Sequence, residues 1–262
     1  MLMGHSVLRR DGTYTADYNR AKLSYSVMLL VRGKMPAIFA VQLAQAVTIA
    51  TRYSVVREQG LGSDNSLDKE LAVMSYRLQH FRILTLTAKS YAMFFAGQHC
   101  NALYADLKIR QARGDHATLP SVHALCAGLK AYVTAEAADG AEDARELCGG
   151  HGFMSISGLP DPISAIAGGC TFEGENHVMW QQLGRHLFKQ VDAIQAGQEV
   201  DEQTQYLSTK GHSTPCSTTD RNFLDRSVQL SIYRHRAQRL IFKAHWHLRS
   251  ARSPKQRLGT ST

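Results

Sequence analysis

Residues 37–58 read AIFAVQLAQAVTIATRYSVVRE. Ala, Leu, Val and Gln recur here at helical spacing, and no glycine or proline interrupts them. A half-buried strand would alternate apolar and polar residues; this stretch does not. It therefore predicts a helix, and with only Pro36 as a strong breaker the pattern extends from about Lys22 to Glu58. The same period governs the rest of the chain.

Outward from this helix, "GLGSDNS" at 60–66 reads as a loop with Ser66 as an N-cap before "LDKE". A long helical pattern then runs from about Leu67 to Arg113 and stops where Gly114 and Pro120 punctuate the sequence. "SVHALCAGLKAYVTAEAADGAEDARELCGG" reads as an Ala-rich third helix closed by Gly149 and Gly150, and "HGFMSISGLPDP" is irregular. A fourth helix follows residue 176, a polar linker occupies 208–220, and 221–252 forms a last helical pattern. Strand-like alternation is nearly absent and no repeat is visible. The fold class is all-α, a bundle of about five long helices.

The 262 residues, 44% of them apolar, are enough to bury a core in one or two domains. No stretch approaches the roughly 18 uninterrupted apolar residues of a membrane span. The opening "MLMGHSVLRR" has its charges on the wrong side for a signal peptide. Five dispersed cysteines with no CxxC pair suggest reduced, intracellular thiols. The twelve histidines lack metal-ligand spacing, so no metal site is expected. The net charge of +8 is concentrated in residues 221–257, which hold ten Lys or Arg and one acid, Asp225. Apolar residues fall at helical spacing between these cations. An amphipathic helix explains both features, and no nucleic-acid-binding motif accompanies them, so nucleic acid is not an expected partner.

The stretch "CTFEGEN" at 170–176 places two carboxylates around Gly174 just before the fourth helix. Acids favour the first turn of a helix, where unpaired N–H groups and the macrodipole attract negative charge. Alternatively, one carboxylate is a base facing a substrate.

"ARELCGGHGF" at 144–153, followed by "CTFEGENHVMWQQ" at 170–182, resembles the peroxisomal acyl-CoA oxidases, the oxygen-using branch of the acyl-CoA dehydrogenase superfamily. Supporting stretches are "KLSYSVMLLVRG" at 22–33, "TIATRYSVVREQ" at 48–59 and "VMSYRLQHFRILTLTAKSYA" at 73–92, in the family's order. The likeness is close over about residues 10–195 and weaker through "YRHRAQRLI" at 233–241. It implies the helical bundle of that family's C-terminal half without its flavin-binding β-barrel domain. Residues 1–20 would lead out of that domain and 21–207 would be the bundle. Residues 208–220 would be a linker, and 221–262 the truncated start of the final helical domain.

The resemblance implies FAD as cofactor and oxidation of a fatty acyl-CoA to the trans-2-enoyl-CoA, O2 becoming H2O2. Glu173 would be the base that takes the α-proton. Arg57, Gln79, Gly149 and Gly150 would contact FAD bridging a homodimer, and Arg32 would lie near the CoA portion. "EGEN" here, where dehydrogenases carry "EGT", favours the oxidase branch. "RLQH" at 77–80 and "WQQLGR" at 180–185 depart from the family's usual "QTQQ" and "MLQTAR". From the residues alone, Arg57 also reads as a solvated surface charge and the glycine pair as a helix C-cap. Glu175 suits the helix-start role better than Glu173.

The family location is the peroxisome, although the chain ends in "TST" rather than an SKL-like tripeptide. Without the β-domain, the chain is expected to bind FAD poorly alone. The alternative function is a catalytically incompetent helical module that dimerises or pairs with full-length oxidase subunits.

Overall fold

A computed structural model of the chain describes residues 6–16, 26–61, 70–209 and 222–252. Among them helices dominate, as the periodicity predicts. In order they are α1 (Ser26–Val56), α2 (Arg77–Ala112), α3 (Leu119–Glu146), α4 (Gly149–Phe153), α5 (Pro160–Gly168), α6 (Asn176–Gln195) and α7 (Arg226–Arg252). Two small antiparallel pairs accompany them: β1 (Ser6–Leu8) with β2 (Tyr14–Ala16), and β3 (Glu58–Leu61) with β4 (Glu70–Ala72). No helix among the described residues is long and apolar enough to cross a membrane.

The second long helix begins ten residues later than the sequence pattern predicts, at Arg77 instead of Leu67. Glu70–Ala72 pairs with the chain leaving α1, Glu58 opposite Ala72, and a 3-10 turn follows at Val73–Ser75. The amide of Val73 donates to the carbonyl of Arg57 and the Tyr76 hydroxyl donates to the carbonyl of Gln59, so tertiary pairing overrides local helix preference. Ser66 lies outside the described residues, as does most of the 208–220 linker. The third long helix ends at Glu146, so Gly149 and Gly150 open α4 instead of closing that helix, and a 3-10 turn at Ser155–Ser157 and the start of α5 follow.

The chain forms two compact units, divided between Gln182 and Leu183, inside the 21–207 stretch. In the first, α1, α2 and α3 pack around Phe39, Leu43, Leu86, Val133, Ala137 and Ile166, all buried. Burying one such Leu or Phe contributes about 1.5–3 kcal/mol. The segment from Gly149 to Glu173 returns along α1. Tyr53 contacts His151, Ile49 approaches Gly158, and Phe39 meets Gly169 and Phe172. Pro36 interrupts the α1 ladder one turn after Arg32 without ending the helix.

In the second unit, Gln190 on α6 accepts hydrogen bonds from the Asp201 amide and the Thr204 hydroxyl. Buried Gln238 on α7 donates to the carbonyl of Leu207 at 2.9 Å. Asp192 faces His245, 2.8 Å away, and Arg249.

Candidate active site

Between α5 and α6 the chain turns back on itself. The amide of Phe172 donates to Gly168 and that of Asn176 to Cys170, closing the 170–176 stretch into a loop. Glu173, half-buried at its apex, has φ +57°, the only left-handed non-glycine backbone among the described residues. Such a conformation costs about 1 kcal/mol or more for an L-residue and persists only where surroundings enforce it.

Two buried cations supply that enforcement. Arg32 on α1, 3% exposed, donates from Nε to the carbonyl of Glu173 at 2.8 Å. Lys130 on α3, fully buried, donates from Nζ to the carbonyl of Gly174 at 2.6 Å and to Asn176 Oδ1 at 2.8 Å. Asn176 in turn donates to Ala131 O and to Thr134 Oγ1, whose hydroxyl donates to Lys130 O. Burial pushes the Lys130 ammonium below its ordinary range. Gly174 has φ +106°, and a Cβ there would sit 2.5 Å from Met179 Cε.

The two acids of the loop have separate surroundings. Glu175 accepts from the amides of His177 at 2.9 Å and Val178 at 3.3 Å, the geometry of an N-cap on α6. Its hydrogen bonds from His177 lower its carboxyl below the usual range. Glu173 stands beside the exposed ring of Phe172, which packs obliquely on Phe39 with centroids 6.2 Å apart.

Arg32 reaches the loop from the protein interior, placing it against the backbone of the very residue singled out as a base. Lys130 and Thr134 are the members of the network that sequence reasoning missed, and Asn176 entered it only as the last residue of "EGEN". The available signal was a lysine amid small and apolar neighbours, Ala127, Ala131 and Val133, on an otherwise core-facing helix.

Arg57, Gln79, Gly149 and Gly150 gather at the other end of α1. Gln79, in the first turn of α2, donates from Nε2 to Ser54 Oγ at 2.8 Å and to Leu147 O at 2.9 Å. Both amide hydrogens thus tie helices together, which gives Gln79 the part of a brace. Gly149 (φ +56°) and Gly150 are exposed, and a Cβ on either would meet nothing within 4 Å. Exposed Arg57 has no carboxylate within ion-pair distance among the described residues. Exposed glycine backbone and an exposed guanidinium with no carboxylate partner among the described residues fit a bulky phosphate-bearing group such as FAD. Gly152 has a different, internal reason: its Cβ would lie 2.2 Å from the carbonyl of Arg145.

Arg32 and Val56 are separated by 24 residues of one helix, about 36 Å at 1.5 Å per residue. The glutamate loop and the Arg57 cluster therefore occupy opposite ends of the same unit.

Residues 25–188 match the family model for the acyl-CoA oxidase C-alpha1 domain. Peroxisomal acyl-coenzyme A oxidase 1 of Arabidopsis thaliana is 38% identical over 243 residues, covering 92% of this chain and 36% of that protein. The chain thus spans just over a third of the length of that relative. The solved structure of Arabidopsis thaliana acyl-CoA oxidase 1 superposes with TM-score 0.88 at 36% identity, covering 98% of this chain and 39% of that one. Acyl-CoA oxidase-2 of Caenorhabditis elegans, solved with FAD, ascaroside-CoA and ATP, gives TM-score 0.83 at 33% identity over 97% of this chain and 38% of that one.

Proposed function

The chain belongs to the acyl-CoA oxidase family, and we propose that it serves FAD-dependent oxidation of a fatty acyl-CoA to the trans-2-enoyl-CoA, with O2 reduced to H2O2. The observation that carries this reading is Glu173, held in left-handed backbone at the apex of a loop fastened from beneath by Arg32.

Glu173 acts as the base. Its carboxylate takes the proton α to the thioester carbonyl, a weakly acidic position that requires a fixed, partly desolvated base. The half-exposed ring of Phe172, packed on buried Phe39, supplies apolar surface next to Glu173 in the chain. Arg32 acts through the backbone: by holding the Glu173 carbonyl it sets where the carboxylate points. Glu175 caps α6 and takes no proton from substrate. Bound FAD would supply the acceptor for the hydride leaving Cβ and the onward path of two electrons to O2. Arg57, Gly149 and Gly150 would hold it, with Gln79 bracing the helix ends that present them.

The separation of about 36 Å along α1 favours a homodimer in which FAD bridges two copies, meeting Arg57 and the glycines of one and Glu173 of the other. Peroxisomal residence rests on the names of the relatives.

A second reading, a non-catalytic helical module that pairs with another copy, draws support from a groove of about 560 Å3 between α1 and α2. It is lined by Val41, Val47, Tyr91 and Phe94, with Val41 and Tyr91 well exposed.

One combined assay separates the two readings. Purified chain is mixed with FAD, its visible flavin absorbance recorded after desalting, and peroxide production from palmitoyl-CoA followed, with Glu173→Gln as control. Yellow protein and Glu173-dependent peroxide support the oxidase and overturn the expectation that the chain binds FAD poorly alone. Colourless, inactive, helical and dimeric protein supports the module.

A further inference from the structure

We propose that Lys130 is a positioning residue for the Glu173 carboxylate, its buried ammonium acting as a peg that fixes the loop's backbone. The inference rests on the reading of Glu173 as the base and deepens it.

A fully buried ammonium is costly unless its hydrogens are used. Two of the three on Lys130 go to the carbonyl of Gly174 at 2.6 Å and to Asn176 Oδ1 at 2.8 Å, and neither acceptor belongs to its own helix. Left-handed backbone at Glu173 and Gly174 turns their two carbonyls out of any helical ladder. One meets Arg32 from α1, the other Lys130 from α3. Successive peptide planes after Glu173 are thereby anchored to two different helices. Charged donors make the strongest of ordinary hydrogen bonds, which suits them to hold a conformation the chain would not adopt alone.

Asn176 completes the arrangement. Its side chain accepts from Lys130 and donates to Ala131 and Thr134, so the first residue of α6 is fastened to the same turn of α3. Packing alone would not require an ammonium here: a methionine fills a similar volume with no charge to bury. What the methionine lacks is the grip on Gly174 and Asn176, and with it the orientation of Glu173.

The test compares the full chain with Lys130→Met and Lys130→Arg by hydrogen exchange and by kinetics with FAD and palmitoyl-CoA. For Lys130→Met, amides of residues 172–178 should exchange about tenfold faster or more, while α1 and α2 keep their protection. In the same variant kcat should fall about 100-fold, the scale of a 1 Å misplacement, with KM moved less than about threefold. Lys130→Arg, which keeps the donors, should recover part of both losses. Unchanged exchange in 172–178, or a raised KM with kcat intact, overturns the proposal. If Lys130→Met does not fold, Asn176→Ala replaces it: faster exchange confined to the loop supports the peg, and unchanged exchange overturns it. If the unsubstituted chain produces no peroxide, the oxidase reading fails on that ground. The exchange result then decides by itself whether Lys130 fixes the loop.

Discussion

Arg32 and Glu173, 141 residues apart in sequence, are joined by a 2.8 Å hydrogen bond from a buried guanidinium to a backbone carbonyl. The bond links the 170–176 loop to α1. It makes Arg32 a determinant of how Glu173 is presented, whatever else that side chain does.

Arg32→Gln is expected to destabilise the fold by about 1.5–3 kcal/mol, the range for a lost hydrogen bond to a charged group. In peroxide assays kcat should fall more than KM rises. A residue gripping the CoA portion would raise KM instead, so chemical denaturation together with steady-state kinetics separates the two roles.

The acids of the loop should differ sharply. Glu173→Gln is expected to abolish peroxide production while leaving thermal stability nearly unchanged. Glu175→Gln removes an N-cap carboxylate from α6, so it should lower Tm by a few degrees and keep most activity. Thermal unfolding beside activity on both variants checks this.

Two neighbouring glycines should respond in opposite ways. Gly152→Ala forces a Cβ to within 2.2 Å of the Arg145 carbonyl, a backbone atom that cannot step aside, and should cost about 1–3 kcal/mol. Gly150→Ala meets nothing within 4 Å and should leave stability within about 0.5 kcal/mol, while weakening FAD retention. Denaturation curves and flavin absorbance after desalting give both readings.

The second unit carries its own pH dependence. The bonds from Arg249 and then His245 hold the Asp192 carboxyl below its ordinary value of 3.8. The folded state therefore binds that proton less tightly than the unfolded chain. This contribution is complete above pH 3.8 and disappears as pH falls through the lower folded value. Asp192→Asn should lose less than about 1 kcal/mol at neutral pH, since solvent screens the pair. The two stability curves should converge in acid.

The long helices were legible because their apolar period is set locally, as in residues 37–58. The β3–β4 pair was not: Glu70–Ala72 is held by partners near Arg57, and nothing in "LDKE" announces a strand. Glu173, Arg57 and the glycine pair could be singled out through motifs that run consecutively in sequence. Lys130 showed only as a lysine among small and apolar neighbours, and nothing there named its acceptors: Gly174 and Asn176 lie 44 and 46 positions away, and one is a backbone carbonyl with no side-chain signature. For Gln79 the sequence indicated the neighbourhood, but its two bonds to Ser54 and Leu147 are visible only once three helices meet.

The length of α1 between Arg32 and Val56 carries a genetic consequence. If each site draws its base from one copy and its cofactor grip from another, two different defects need not lie in the same site. Chains carrying Glu173→Gln and chains carrying Arg57→Ala, each inactive when pure, should complement one another once unfolded and refolded together. Every mixed pair contains one site with an intact glutamate from one parent and an intact arginine from the other. The opposite site collects both lesions.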